Sequence, residues 1–363
     1  VRYAIWCLAI ISGLFTACLI LPSPSRFLLP LTVSVPELSP WLVLLNVFCI
    51  WIAAQFRVRR ALAIFLVSAV AAAVPVFLAL QAAKSFEHAY PQTQRFSAMQ
   101  FFQPLWFPPV LAQKLPMNIL FYPGHGLGTR PVLVDIYGGA WQHGSPSVDD
   151  PFDRHMAGIG YAVFAIDYRH APAFHFPAQI EDVQAALAYV RTNAAQYHGD
   201  ASKIVLCGRS SGGELALLAA YDPAQAPVSA VIAFYSPSNL VRGFHELPWP
   251  DPLDVQKILA DYIGGSPEQF ADAYRAASPV TLATRRLPPT LLIQGGRDHV
   301  VSAQFTRQLY SRVKQTGSDV YLLELPWAEH SFDAVPSGIG NQVAMHALEA
   351  FLKTTAAAPL SSN

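Results

Sequence analysis

Two stretches of this chain carry no charge at all. Residues 3–21, YAIWCLAIISGLFTACLIL, and residues 61–83, ALAIFLVSAVAAAVPVFLALQAA, each supply the roughly 20 apolar residues that cross the ~30 Å hydrocarbon layer of a bilayer. Hydrocarbon offers no water to a backbone N–H or C=O, so a helix, whose bonds close within the segment, is the solution open to such a stretch. Between them residues 41–56, WLVLLNVFCIWIAAQF, form a shorter apolar run with Asn46 near its centre. Pro75 lies inside the last stretch, where neighbouring helices can re-satisfy the freed carbonyl. No small-residue cleavage pattern precedes Pro22, so residues 1–21 are expected to stay as a span rather than act as a signal peptide. Residues 1–84 are therefore expected to be a transmembrane region of about three helices.

The whole chain has 363 residues, 53% hydrophobic and only 13% charged, which excludes disorder for most of its length. Lys+Arg and Asp+Glu both number 24, a formal charge of zero, and this argues against nucleic acid as a partner. The balance suits a membrane part joined to a water-soluble part. Arg57, Arg59 and Arg60 cluster between the second and third apolar runs. Basic loops stay cytoplasmic. With three crossings the N-terminus lies inside, residues 22–40 outside, and everything after residue 85 faces the periplasm or cell exterior. If residues 41–56 do not cross, the same domain is cytoplasmic. Cys7, Cys18 and Cys49 sit in the apolar runs and Cys207 ends a strand, so the soluble part has no disulfide pair. Residues 85–117, rich in aromatics, Pro and Gln, read as a linker, and 355–363 as a loose tail.

From residue 118 the pattern alternates. Strands are expected at 131–136, 161–167, 203–207, 228–234, 290–294 and 320–325, and helices at 177–197, 211–221, 302–316 and 341–354. Near-continuous apolar strands separated by helices imply an α/β fold, a mostly parallel sheet with helices on both faces. Residues 240–287, rich in Pro, Trp and acidic residues, interrupt the alternation as a helical insertion above the sheet.

Between the strand at 203–207 and the helix at 211–221 stands Gly208-Arg209-Ser210-Ser211-Gly212-Gly213, a G-x-S-x-G turn. Glycines two residues either side allow a tight turn that exposes the Ser210 hydroxyl at a helix N-terminus. A serine nucleophile needs a base held by a third group, here an acid and then a histidine, each just past a later strand. Asp298 follows the strand at 290–294 and His330 the strand at 320–325, both at the carboxyl edge of the sheet. His299, Glu329 and Asp333 are the neighbouring competitors. Upstream, Gly138-Gly139-Ala140 can bring backbone N–H groups to an oxyanion, and Ser211, after the nucleophile, adds another. The oxyanion donors expected are thus Gly139, Ala140 and Ser211, with Tyr137 and Trp141 as substrate-binding residues. There is no H-E-x-x-H, no paired Cys motif, no P-loop and no G-x-G-x-x-G after a strand, so neither a metal nor another cofactor is expected.

From about 118 to 354 the chain resembles the α/β-hydrolase superfamily, and within it the acetyl-esterase and hormone-sensitive-lipase-like carboxylesterases. The carrying residues are YGGAW at 137–141, DYR at 167–169, FPAQIEDVQAAL at 176–187, GRSSGG at 208–213, GGRD at 295–298 and EHSF at 329–332. The family's oxyanion motif usually begins with histidine, where Tyr137 stands, and its third glycine is here Ala140. The resemblance implies that Asp167 and Arg169 brace loops. It also implies a serine hydrolase that cleaves small-molecule or lipid carboxylic esters through an acyl-enzyme; residues 1–84 lie outside the resemblance, and their apolar spans are what would anchor the hydrolase in a membrane. Acyl transfer or amide cleavage at the same site stays open, as does a non-catalytic membrane protein on a hydrolase-like fold. Oligomeric state is not legible.

Overall fold

The computed structural model describes residues 1–90, 94–103, 105, 108–126 and 128–355. Among them, eight strands form one sheet in the order β1-β2-β4-β3-β5-β6-β7-β8. These are β1 (Gln113–Lys114), β2 (Leu120–Tyr122), β3 (Arg130–Ile136), β4 (Ala162–Ile166), β5 (Gly199–Arg209), β6 (Ala230–Phe234), β7 (Thr290–Gly295) and β8 (Val320–Leu325). β1 and β2 pair antiparallel at one edge, and β4-β3-β5-β6-β7-β8 run parallel.

Parallel strands buried on both faces are apolar throughout, and alternate side chains enter opposite layers. Val132, Val134 and Ile136 of β3 join one core while Leu133 joins the other. The first layer is closed by α6 (Ala178–Asn193), α7 (Ser211–Tyr221) and α12 (Ala303–Gln315). The second is closed by α5 (Asp150–Gly158) and α13 (Ile339–Thr354). The expected strands and helices are all present with shifted ends. The short β1 and β2 and the helix α5 were not anticipated, because three residues or fewer give no period to read and α5 lies in a Pro- and Asp-rich segment. Residues 240–287 hold α8 (Leu240–His245), α9 (Val255–Ile263), α10 (Ala271–Ala276) and α11 (Pro279–Leu282).

At the N-terminus stand α1 (Arg2–Ile20), α2 (Leu29–Glu37), α3 (Ser39–Gln55) and α4 (Arg59–Ala89). Helices α1 and α4 are long and apolar enough to cross a membrane, and α2 with α3 is a third candidate bent by 75° at Leu38. The helices approach on small residues, with Ala9, Ala53, Ala61 and Ala72 buried. Their few polar side chains turn inward: Ser12 Oγ donates to Asn46 Oδ1 at 2.6 Å and Thr16 Oγ1 to Ser68 Oγ at 2.8 Å. Large apolar side chains such as Leu14, Val70 and Phe77 face outward.

Two expected boundaries are corrected. Helix α4 runs on to Ala89, because Ala79, Ala83 and Phe86 pack into the second core of the sheet domain. β1 lies inside the stretch 85–117, since Gln113 and Lys114 pair with Phe121 and Leu120. That stretch is thus part helix and part sheet at its ends. Of the expected tail at 355–363, all but Thr355 lies outside the described residues.

Candidate active site

Ser210 caps α7 at φ 51°, ψ −122°, a left-handed backbone that costs a non-glycine residue on the order of 1–3 kcal/mol. The chain can turn so sharply because its neighbours lack side chains. A Cβ on Gly208 would meet Gly212 O at 2.3 Å, and one on Gly212 would meet Ile136 O at 2.0 Å. The Ser210 N–H donates to Phe234 O at the end of β6, which fixes the turn against the sheet.

The structure brings the three predicted side chains together. His330 Nδ1 lies 2.8 Å from Asp298 Oδ2, and His330 Nε2 lies 3.0 Å from Ser210 Oγ. A carboxylate beside Nδ1 can only accept, so the proton sits on Nδ1 and Nε2 accepts from the serine hydroxyl. Burial acts to lower the His330 pKa, but the charge and hydrogen bond of Asp298, with Glu329 and Asp333 behind them, outweigh it and raise it above the ordinary histidine value. Tyr235 packs edge-on against the His330 ring at 4.6 Å between centroids.

Asp298 is itself held on every side. Oδ1 accepts from the N–H groups of Val300 and Val301 at 2.8 and 2.7 Å, and Oδ2 from Gln294 Nε2 at 3.0 Å. Thr306 Oγ1 in turn donates to Gln294 Oε1 at 2.7 Å. Sequence reasoning missed Gln294 and Thr306; the only available signal was a polar residue in an otherwise apolar strand. The competitors go elsewhere. Glu329 accepts from the His299 N–H and ring, tying the acid's loop to the histidine's. Asp333 accepts from Arg209 Nε at 2.6 Å and Tyr235 Oη at 2.5 Å.

Arg209, one residue before the serine, lies buried under the site. It meets Asp333, Asp135 at 3.2 Å and Asp149 at 3.5 Å, and its guanidinium covers the Phe152 ring at 4.1 Å. Burial raises the Asp135 and Asp149 carboxyls, and with them Asp153, against the pull of Arg209. The three pairings raise the Arg209 pKa in spite of its burial.

Around the proposed oxyanion donors the backbone is unusual: Ala140 and Trp141 have φ of 54° and 59°. A Cβ on Gly139 would stand 1.8 Å from His143 O. The Gly139 N–H, expected as an oxyanion donor, donates here to Ser211 Oγ at 3.1 Å. Ser211 opens α7, where N–H groups have no carbonyl one turn earlier. Tyr137, expected to bind substrate, stands away from the cavity. It is 1% exposed, and its hydroxyl donates to Asp167 Oδ1 at 2.6 Å and meets His170 Nε2 at 2.8 Å, so it braces loops instead of touching the cavity. Asp167 and Arg169 have bracing partners, Arg169 binding Asp182 and Glu181. Trp141 borders the cavity, but its indole stacks on Tyr262 at 4.0 Å and its Nε1–H donates to buried Glu214.

Ser210, His330, Gly138, Gly139 and Ala140 open onto a cavity of about 500 Å³. Its far walls are apolar, from Leu240, Leu253, Ile258 and Leu259 of the inserted helical segment, and from Val301, Phe305 and Met345. Among the described residues no group of three or more His, Cys, Asp and Glu is disposed to hold a metal ion.

The BD-FAE family model matches residues 118–313. The chain is 33% identical over 241 residues to the probable carboxylic ester hydrolase LipM of Mycobacterium tuberculosis, covering 62% of this chain and 54% of LipM. It is 33% identical over 242 residues to the esterase LipC of the same organism, covering 61% and 58%. The chain thus spans a little over half the length of these curated relatives. Among solved structures it is similar to a bacterial heroin esterase, with a TM-score of 0.59 and 26% identity over 75% of this chain and 89% of that one. Esterase Est2 of Thermogutta terrifontis matches with a TM-score of 0.53 and 25% identity over 69% and 94%.

The buried charge cluster generates a stability prediction. Arg209→Met keeps most of the volume but strands three buried carboxylates, so it should destabilise the protein by about 3–5 kcal/mol at neutral pH. Much of the loss should return on acidification, because Asp135 and Asp149, already raised by burial, then take up protons. Thermal melts in detergent across pH read both effects, and a loss that does not depend on pH would contradict the assignment of charge.

Proposed function

The chain belongs to the BD-FAE family and has the α/β-hydrolase fold, and on that premise we propose that it is a serine hydrolase of carboxylic esters. The observation that carries this reading is the unbroken line from Ser210 through His330 to Asp298, opening into an apolar cavity. The esterase names of the matched relatives support it.

In the mechanism that follows, His330 Nε2 takes the proton of Ser210 as Oγ attacks the ester carbonyl carbon. The oxyanion of the tetrahedral intermediate accepts hydrogen bonds from the N–H groups of Ala140 and Ser211. Collapse expels the alcohol, protonated by His330, and leaves an acyl group on Ser210. Water, deprotonated by His330, attacks that acyl group; the second tetrahedral intermediate collapses with cleavage of the Ser210 Oγ–acyl bond, Oγ takes the proton back from His330, and the carboxylic acid departs. Asp298 stays ionised throughout, holding the imidazole in its tautomer and balancing the imidazolium. The cavity lies in the size range of small-molecule sites, and its lining favours an ester with an apolar group of several carbons.

The membrane region completes the proposal. α1, α3 and α4 each cross, and the hydrolase domain, beginning near β1 rather than at 118, lies outside the cytoplasm. Three contacts support this. Arg297 reaches the C-terminal end of α1, Glu37 of α2 enters the domain, and the last turns of α4 pack into its core. Arg57, Arg59 and Arg60 stand at the opposite ends of α3 and α4, so the basic cluster and the hydrolase domain face opposite sides of the bilayer. Seventeen residues give α3 a length of about 25 Å, which local thinning of the bilayer accommodates.

Three outcomes are expected. Ser210→Ala should abolish covalent labelling by a fluorophosphonate and lower kcat on a p-nitrophenyl ester by on the order of 10⁴-fold or more. Retention of a tenth of the activity would sink the assignment. In the wild type, His330 must be neutral to act, and its pKa is raised, so its protonated, inactive form persists to higher pH. The acid limb of kcat/KM should therefore have its midpoint above about 6.5, and Asp298→Asn should move it down while cutting kcat by roughly 10⁴. A wild-type midpoint below that value would contradict the proposed Asp298–His330 coupling. Finally, an alkaline-phosphatase fusion after Ala89 should be active and a fluorescent fusion that folds only in the cytoplasm dark; the reverse pattern would invert the proposed orientation.

A further inference from the structure

Both loops that carry the triad's acid and base are held from outside the hydrolase fold. Arg297 directly precedes Asp298. Its Nη2 donates to Ile20 O at 2.9 Å and its Nη1 to Leu19 O, at the C-terminal end of α1. Those carbonyls are among the last of the helix, which lack intrahelical partners and attract a cation.

The second tie is tighter. Glu37 ends α2, a helix of the apolar N-terminal region, yet its side chain is buried inside the hydrolase domain. A carboxyl leaves water at a cost of several kcal/mol unless hydrogen bonds replace its hydration. Here Oε1 accepts from Trp327 Nε1–H at 3.2 Å and Oε2 from the Gly340 N–H at 2.5 Å. Trp327 lies three residues before His330, and Gly340 lies in the first turn of α13, where the loop ends. One side chain therefore grips both ends of the loop that presents the catalytic base. The receiving surface is shaped for it. A Cβ on Gly338 would come within 2.7 Å of Glu37 Oε2, and one on Gly340 within 2.8 Å of both carboxyl oxygens.

We propose that Glu37 is a positioning residue for His330, so that the N-terminal helices form part of the catalytic machinery, with the end of α1 serving Asp298 in the same way through Arg297. This rests on the reading of Ser210, His330 and Asp298 as the reacting set. It explains why a carboxyl is buried on a helix whose neighbours are apolar, and why two glycines stand where it arrives. Glu37 touches neither substrate nor serine; it acts by setting the reach of His330 Nε2 to Ser210 Oγ.

The test uses the full chain in detergent. Active sites are counted by fluorophosphonate labelling, and kcat per labelled site and KM are measured on p-nitrophenyl butyrate from pH 5 to pH 9. Glu37→Gln keeps the shape but turns one acceptor into a donor facing a donor. Gly340→Ala displaces the carboxyl from the other side of the contact. Both should lower kcat per labelled site on the order of tenfold, since small misplacements of a base are costly, with KM within about twofold. Both should also move the acid limb toward lower pH, as His330 loosens from Asp298. Glu37→Asp, which keeps two acceptors on a shorter arm, should recover part of the rate. A kcat per labelled site within about twofold of wild type in Glu37→Gln, with an unmoved pH profile, would overturn the proposal. Counting only labelled sites removes misfolded protein from the comparison. If one variant yields no labelled protein, the other decides. Failure of wild-type labelling at Ser210 would instead overturn the serine-hydrolase reading, leaving the two failures distinct.

Discussion

The turn at Ser210 is the constraint to which the rest of the site answers. β5 must end and α7 must begin within a space that admits no Cβ at Gly208 or Gly212. The serine that remains is forced to positive φ and stands clear of the sheet. Strain of this kind persists only where the surroundings over-determine it. Here β6 holds the serine's own N–H, and the Gly138 backbone crosses so close that a Cβ there would lie 2.8 Å from Arg209 O. The strand that carries the serine lies inside the parallel set, flanked by β3 and β6, so the turn is backed by paired strands on both sides.

Beneath that turn the protein buries charge rather than hydrocarbon. A single guanidinium faces Asp135, Asp149 and Asp333, which come from β3, from the cap of α5 and from the loop after His330. Such a cluster is weak evidence for stability, because desolvation offsets much of the attraction. Its value lies in geometry. It links the Ser210 loop to the His330 loop through Asp333, while Glu329 links the His330 loop to the Asp298 loop through His299. Three loops separated widely in sequence are thereby fixed relative to one another by directional bonds, which is what a relay of hydrogen bonds near 3 Å requires.

What the sequence made legible follows the same division between local and distant causes. Strands buried on both faces announce themselves as apolar runs, and a serine between a strand and a helix with flanking glycines has few other uses. Asp298 and His330 were readable because chain order and strand ends restrict where they can stand. The supporting residues were not. Gln294 matters through its contact with Asp298 and Thr306 through its contact with Gln294, and nothing in a linear pattern says that a strand glutamine will face that carboxylate. Tyr137 was misread for a related reason: its place in the loop fits a lining residue, but its ring turns into the core to meet Tyr168, stacked at 4.5 Å, and its hydroxyl finds Asp167. At Gly139 the contact that sequence could not show is the hydroxyl of Ser211, which accepts from its N–H.

The apolar N-terminal region was legible as membrane-like from composition, but its relation to the sheet domain was not. Hydropathy records which side chains avoid water and is silent on what they meet. It cannot tell an anchor joined by a flexible linker from a set of helices docked on the sheet domain. Helix α4 resolves the difference physically. Its early turns offer Val67 and Val70 outward, whereas its late turns place Ala79, Ala83 and Phe86 against α13 and β8. One continuous helix of 31 residues thus passes from outward-facing apolar side chains to the protein interior without a break in its backbone. A rigid element shared by two environments transmits orientation as a linker cannot, so the hydrolase domain is held at a fixed attitude to the apolar helices, and its cavity with it.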